Sequence, residues 1–125
     1  MSIPIFQLVT ASPEAVALLG ANPTRFYPFG EADQRTLKPY AVWQQVSGEP
    51  LNKLAGVPDH DAYAVQVDVY ADTGAVAREV AMALRDALEP DGYISSWNGE
   101  SREPDTRLFR FSFAVEFMMA RSLTS

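Results

Sequence analysis

The sequence predicts an α+β domain: a mainly antiparallel sheet of about four strands packed against one long helix, with a short N-terminal helical segment and extended loops. Three stretches predict it. Tyr63–Tyr70 (YAVQVDVY) alternates at period two, with Tyr63, Val65, Val67 and Val69 on one face and Gln66 and Asp68 on the other. A half-buried antiparallel strand requires such alternation. Residues 75–89 then repeat apolar side chains at helical spacing. Near the C-terminus Phe109, Phe111, Phe113, Val115 and Phe117 again alternate with Arg110, Ser112, Ala114 and Glu116. A strand handed straight to a helix that must cover it is the core of an α+β unit.

Taken in order, Ile3 to Gly20 reads as helix in two pieces. Ser12 is a cap, Pro13 suits the first helical position, Glu14 favours the positive end of the dipole, and Gly20 is a stop. The Ser12–Pro13 junction breaks this segment from Ile5, Phe6, Leu8 and Val9 upstream. Arg25-Phe26-Tyr27 is a short extended piece closed by Pro28-Phe29-Gly30. A strand follows from about Tyr40 to Ser47, with Tyr40, Val42, Gln44 and Val46 on one face and Trp43 on the other. Apolar groups on both faces place it centrally or under a neighbour.

Gly48 to Asp61 (GEPLNKLAGVPDHD) has the Pro, Gly and Asp content of a loop, yet carries Leu51, Leu54 and Val57. After the Ala71–Gly74 turn, capped by Asp72 or Thr73, the helix sets Val76, Ala77, Val80, Ala81, Leu84, Ala87 and Leu88 on one stripe. Arg78, Glu79, Arg85, Asp86 and Glu89 lie mostly opposite, and Pro90-Asp91-Gly92 ends it. The last third reads as a hairpin. Tyr93, Ser95 and Trp97 alternate with Ile94 and Ser96, Asn98-Gly99 is a turn signal, and a charged arm from Trp97 to Thr106 projects from the sheet. Each buried Phe or Val of the return strand contributes about 1.5–3 kcal/mol before entropy is deducted.

The 125 residues make one domain, 1–125, of ordinary globular composition, with 47% hydrophobic and 21% charged side chains. Without cysteine there is no disulfide, no thiolate chemistry and no Cys-based zinc site. The N-terminus lacks a basic n-region, and Pro4, Gln7, Pro13 and Glu14 interrupt its apolar run, so neither a signal peptide nor a membrane span is expected. A net charge of −6 disfavours phosphate contact, because each contact needs Lys or Arg to displace counterions.

Candidate chemistry is sparse. Asp59-His60-Asp61 holds the single histidine. Three adjacent residues do not converge on one ion, and no second histidine completes a site, so a solvated turn or strand entry is the better reading. A triad with Ser47 or Ser112 has no nucleophile elbow to support it. No phosphate loop or dinucleotide fingerprint is present. We therefore assign no catalytic, cofactor-binding or metal-binding residue and look to surfaces instead.

The order of motifs carries more. VALLG at 16–20, RFYPFG at 25–30, KPYAVWQQVSGEP at 38–50, a loop, and YAVQVDVYADTGAVAREVAMALRDAL at 63–88 together resemble a tail-completion family of long-tailed bacteriophages and prophages. Its members are also called tail terminators or tail-to-head joining proteins. The resemblance runs from about Val9 to Phe117, through Pro39-Tyr40, the Val65-Gln66-Val67-Asp68 strand and the Ala-rich helix. It implies a homo-oligomeric ring, usually a hexamer, at the head-proximal end of the virion tail, assembled in the bacterial host cytoplasm. Such a ring stops tail-tube growth and presents the surface that joins the head. Its partners are itself, the tail tube protein and a head completion or connector protein; DNA passes through the lumen without specific binding.

Six copies at −6 give about −36 per ring, and like charge around a lumen repels phosphate. A ring needs one surface meeting a different surface on the next subunit. The expected interface residues are Leu51, Leu54 and Val57 of the long loop, with Trp97 and Arg102 of the hairpin. The alternatives are another head–tail connector or minor tail protein and, in a different class, a small dimeric ligand-binding or regulatory α+β domain.

Overall fold

A computed structural model describes residues 5–32, 36–50 and 60–120. Its elements are α1 (Ile5–Thr10), α2 (Pro13–Leu19), β1 (Phe26–Pro28), β2 (Tyr40–Pro50), β3 (His60–Ala71), α3 (Gly74–Leu88), β4 (Gly92–Arg102) and β5 (Phe109–Ala120). The strands form one sheet in the order β1-β2-β3-β5-β4. All neighbours are antiparallel except β1, which pairs parallel with β2. Because β5 inserts between β3 and β4, α3 crosses the sheet as the connection of a split βαβ unit.

The α+β reading holds, with a fifth strand. The extended piece at 26–28 is a three-residue edge strand, where Pro28 costs no ladder bond on the solvent side. Both N-terminal helices fall where their signals place them. Ser12 accepts from the Ala15 N–H at 3.2 Å, and Gly20 ends α2 at φ 87°. Thr73 caps α3 by accepting from the Val76 N–H at 3.2 Å. Arg25 ties the end of α2 to the start of β2, donating to the carbonyls of Leu18 (3.2 Å) and Pro39 (2.9 Å).

The helices cover one face of the sheet. Under them Val65, Val67 and Val69 of β3 and Phe111, Phe113, Val115 and Phe117 of β5 are buried with Ile5, Val9, Ala15 and Leu19 from the N-terminal helices. From α3 come Ala77, Val80, Ala81, Leu84 and Leu88. This is the stripe expected from the sequence, except that Val76 only edges it, Ala87 is half-buried outside it, and the small Ala83 is also buried.

Three local expectations are corrected, and two of the corrections come from bulges. In β2 the side chains facing the helices are Ala41 and Trp43, but a register shift between Gln45 and Ser47 breaks the alternation and leaves Val46 exposed. In β4 the Asn98-Gly99 pair is not the hairpin turn. A type I′ turn needs positive φ at both residues; only Gly99 has it (83°), and the ladder slips there instead. The 97–106 arm does not project as a whole, because β4 stays paired with β5 to Arg102↔Phe109. The actual turn runs from Glu103 to Leu108, closed by the Glu103 N–H on the Leu108 carbonyl at 2.8 Å, with Arg107 at φ 63°.

Candidate assembly surfaces

Among the described residues no group of three or more His, Cys, Asp or Glu side chains could hold a metal ion. No helix there is long and apolar enough to cross a membrane. The features that stand out are surfaces: the sheet face away from the helices, and the outer edge formed by β4.

The uncovered face is built on alternate residues of the same strands that make the core. Asp68 sits in the middle of β3, opposite Ser112, with Arg110 one step diagonal on β5. Arg110 Nε lies 3.4 Å from Asp68 Oδ1 and Nη1 lies 3.6 Å from Glu103 Oε1. These are ion-pair distances, and Arg110 Nε makes no hydrogen bond among the described residues. Gln66 donates its amide to both Asp68 oxygens, at 3.3 and 3.2 Å. Beside this row Tyr40 and Tyr70 stack with ring centroids 5.2 Å apart. Although no helix among the described residues covers this face, Val42 (6% exposed), Asp68 (6%) and Ser112 (7%) are buried.

The electrostatics follow from the packing. Burial, and then Glu103, hold the Tyr40 phenol above its ordinary 10.0. Burial raises Tyr70 as well, with the Asp68 charge next in weight. Tyr93 is raised chiefly by the Glu116 carboxylate across the β4–β5 pair. These phenols stay neutral at any ordinary pH and act as flat apolar surface with a polar rim.

Of the interface residues expected from sequence, only Trp97 and Arg102 fall among the described residues. Leu51, Leu54 and Val57 lie outside the described residues, and so does Asp59 of the His60 motif. Trp97 and Arg102 are on β4, an edge strand. Trp97 packs against Phe111 (4.7 Å between centroids) and Phe113 (5.3 Å), with the Arg85 guanidinium 5.4 Å above its ring. It still leaves 41% of its surface to solvent. Arg102 lies 5.1 Å over the Phe109 ring and donates to the Arg107 carbonyl at 3.3 Å. The Asp68–Arg110–Glu103 row was not foreseen. An aspartate in the centre of an alternating strand was the available signal, but its partner required the β3–β5 register.

Comparison with known proteins decides the family. A family profile described as "Tail completion protein gp17" matches residues 3–120, nearly the whole chain. The chain belongs to that family. No curated protein sequence matches it. Among solved structures, a chain of the "Virion of native gene transfer agent (GTA) particle" superposes with TM-score 0.70 at 15% identity, covering 94% of this chain and 92% of that one. The "Structure of bacteriophage SPP1 gp17 protein" superposes with TM-score 0.55 at 11% identity, covering 97% and 88%. At these identities the likeness is one of fold. The tail-completion assignment rests on the profile, and it agrees with the order of motifs in the sequence.

Proposed function

We propose that this member of the tail-completion family works as a homo-oligomeric ring of six subunits that closes the head-proximal end of a phage or prophage tail tube and joins it to the head. The observation that carries the proposal is the family match over residues 3–120. The molecule supports it in two further ways. Its described clefts are shallow and open, without a metal-binding cluster, so its work is done by surfaces. Its charge of −6 per chain suits a channel that lets DNA pass without gripping it. The role is structural, not enzymatic. Its partners are other copies of the chain, the tail tube protein and a head completion or connector protein.

In this reading Leu51, Leu54 and Val57 of the β2–β3 loop, together with Trp97 and Arg102 on the β4 edge, contribute to the contact between neighbours. Light scattering on the purified protein over a wide concentration range tests the ring. Six chains of 13.8 kDa give a particle of about 80 kDa. The double substitution Leu51→Asp with Leu54→Asp shifts that mass toward the monomer while the circular dichroism spectrum is kept. A two-fold dimer of wild-type chains would transfer support to a small regulatory domain.

A further inference from the structure

On the side of the helix layer away from the sheet, α2 and α3 leave an open groove of about 390 Å³. Its floor is apolar, from Leu18, Met82 and Ala83, and its rim is acidic, from Glu14, Glu79 and Asp86. Glu14 and Glu79 form no ion pair among the described residues. Asp86 has only its sequence neighbour Arg85, at 3.2 Å. Three carboxylates around an apolar floor repel one another and favour an occupant that is apolar at its tip and cationic beside it.

The same chain carries such a tip elsewhere. Leu37, in the β1–β2 connection, is 71% exposed, the most exposed large apolar side chain among the described residues. Lys38 beside it is also exposed and forms no ion pair there, and Arg35 precedes Leu37 by two positions. In sequence, Glu31 and Asp33 lie on the N-terminal side of Arg35. Leu37 does not line the groove of its own chain. Lys38 instead borders clefts at the start of α3, with Asp72 and Val76, and at the β4–β5 turn, with Thr106 and Leu108.

We infer that the α2–α3 groove receives the Leu37–Lys38 tip of a second copy of this chain, with Leu37 on the Leu18–Met82 floor and Lys38 against the Glu14–Glu79–Asp86 rim. A knob and a groove at different places on one surface make a head-to-tail contact, the type that generates rings when the rotation closes. The inference rests on the ring reading and names one pair of surfaces that builds it.

The chain has no cysteine, so introduced thiols are the only ones present. Leu37→Cys and Met82→Cys are made as separate variants, one carrying a size tag, then mixed and oxidised. A covalent heterodimer on a non-reducing gel is the expected result, and it excludes a link within one chain. In parallel, Lys38→Glu raises the concentration midpoint of assembly about tenfold, and Glu79→Lys in the same chain restores it. If the wild type assembles but the mixed variants give no link, or if Leu54→Cys links to Met82→Cys in place of Leu37→Cys, the groove assignment is overturned and the ring stands. A wild type that remains monomeric, with no link, overturns both.

Discussion

The two faces of the sheet are built from neighbouring residues of the same strands, yet they hold together by different physics. On the covered face Phe113 meets α3, and its burial needs no partner beyond close packing. One residue earlier, Ser112 is buried on the opposite face beside Asp68. The first face is fixed by excluding water. The second is held by polar contacts, the Gln66–Asp68 hydrogen bonds, the Asp68–Arg110–Glu103 ion pairs and the Tyr40–Tyr70 stack. Losses on the covered face are therefore large and insensitive to pH or salt, whereas those on the open face are smaller and sensitive to both.

The comparison breaks first at its strongest point. Phe113→Ala leaves a cavity under α3 and costs about 3–5 kcal/mol, measured by urea unfolding. A cost below that of the open-face substitutions would remove the distinction. Gly92→Ala comes next. A Cβ there would stand 2.7 Å from the Glu116 carbonyl oxygen and 2.9 Å from the Phe117 ring, so β4 must shift. The expected loss is about 1–3 kcal/mol, with the Trp97 fluorescence displaced because Trp97 lies on the same strand.

On the open face, Asp68→Ala removes the partner of both Gln66 and Arg110. The Arg110 side chain keeps 35% of its surface in solvent, so water replaces part of the lost contact. About 1–2 kcal/mol is expected, falling as salt is raised. Equal losses at low and high salt would show that this face is held by packing alone. Arg107→Gly acts outside both faces. The backbone there is in the left-handed region at φ 63°, which glycine adopts freely, and a gain of about 0.5–1 kcal/mol in thermal unfolding is expected.

The smallest effect is alkaline. Tyr40 and Tyr70 have folded-state pKa values above the ordinary 10.0, so the native protein holds their protons longer than the unfolded chain does. The stability they contribute is complete below pH 10.0 and is lost as the pH rises through the raised values. Tyr40→Phe with Tyr70→Phe flattens that alkaline decline. A decline of unchanged steepness in the double variant would assign it to other groups.

How much was legible in the sequence varied with the range of the forces involved. The Ser12 and Thr73 caps, the α3 stripe and the alternation of β3 and β5 were readable, because each depends on residues a few positions apart. The Asn98-Gly99 pair was misread as a turn because a positive-φ glycine serves a bulge as well as it serves a hairpin, and only strand pairing chooses between them. Trp97, proposed above at the interface, keeps 41% of its surface in solvent, but its contacts within the chain were not legible. The register shifts in β4 turn it toward Phe111 and Phe113, where Arg85 of α3 lies over it.

By itself the sequence determined the α+β class, the broken N-terminal helix, the long amphipathic helix and, through the order of its motifs, the tail-completion family. The elements follow from local propensity and period, which short segments encode, whereas the family follows from resemblance to known sequences. Tertiary structure alone decided which strands are neighbours, where the bulges fall, and hence that Asp68 meets Arg110 across β3 and β5. It also decided that α2 and α3 form an acid-rimmed groove from residues as far apart in the chain as Glu14 and Asp86. Such contacts join residues distant in sequence, and their partners are set by chain closure and packing, which no local pattern records.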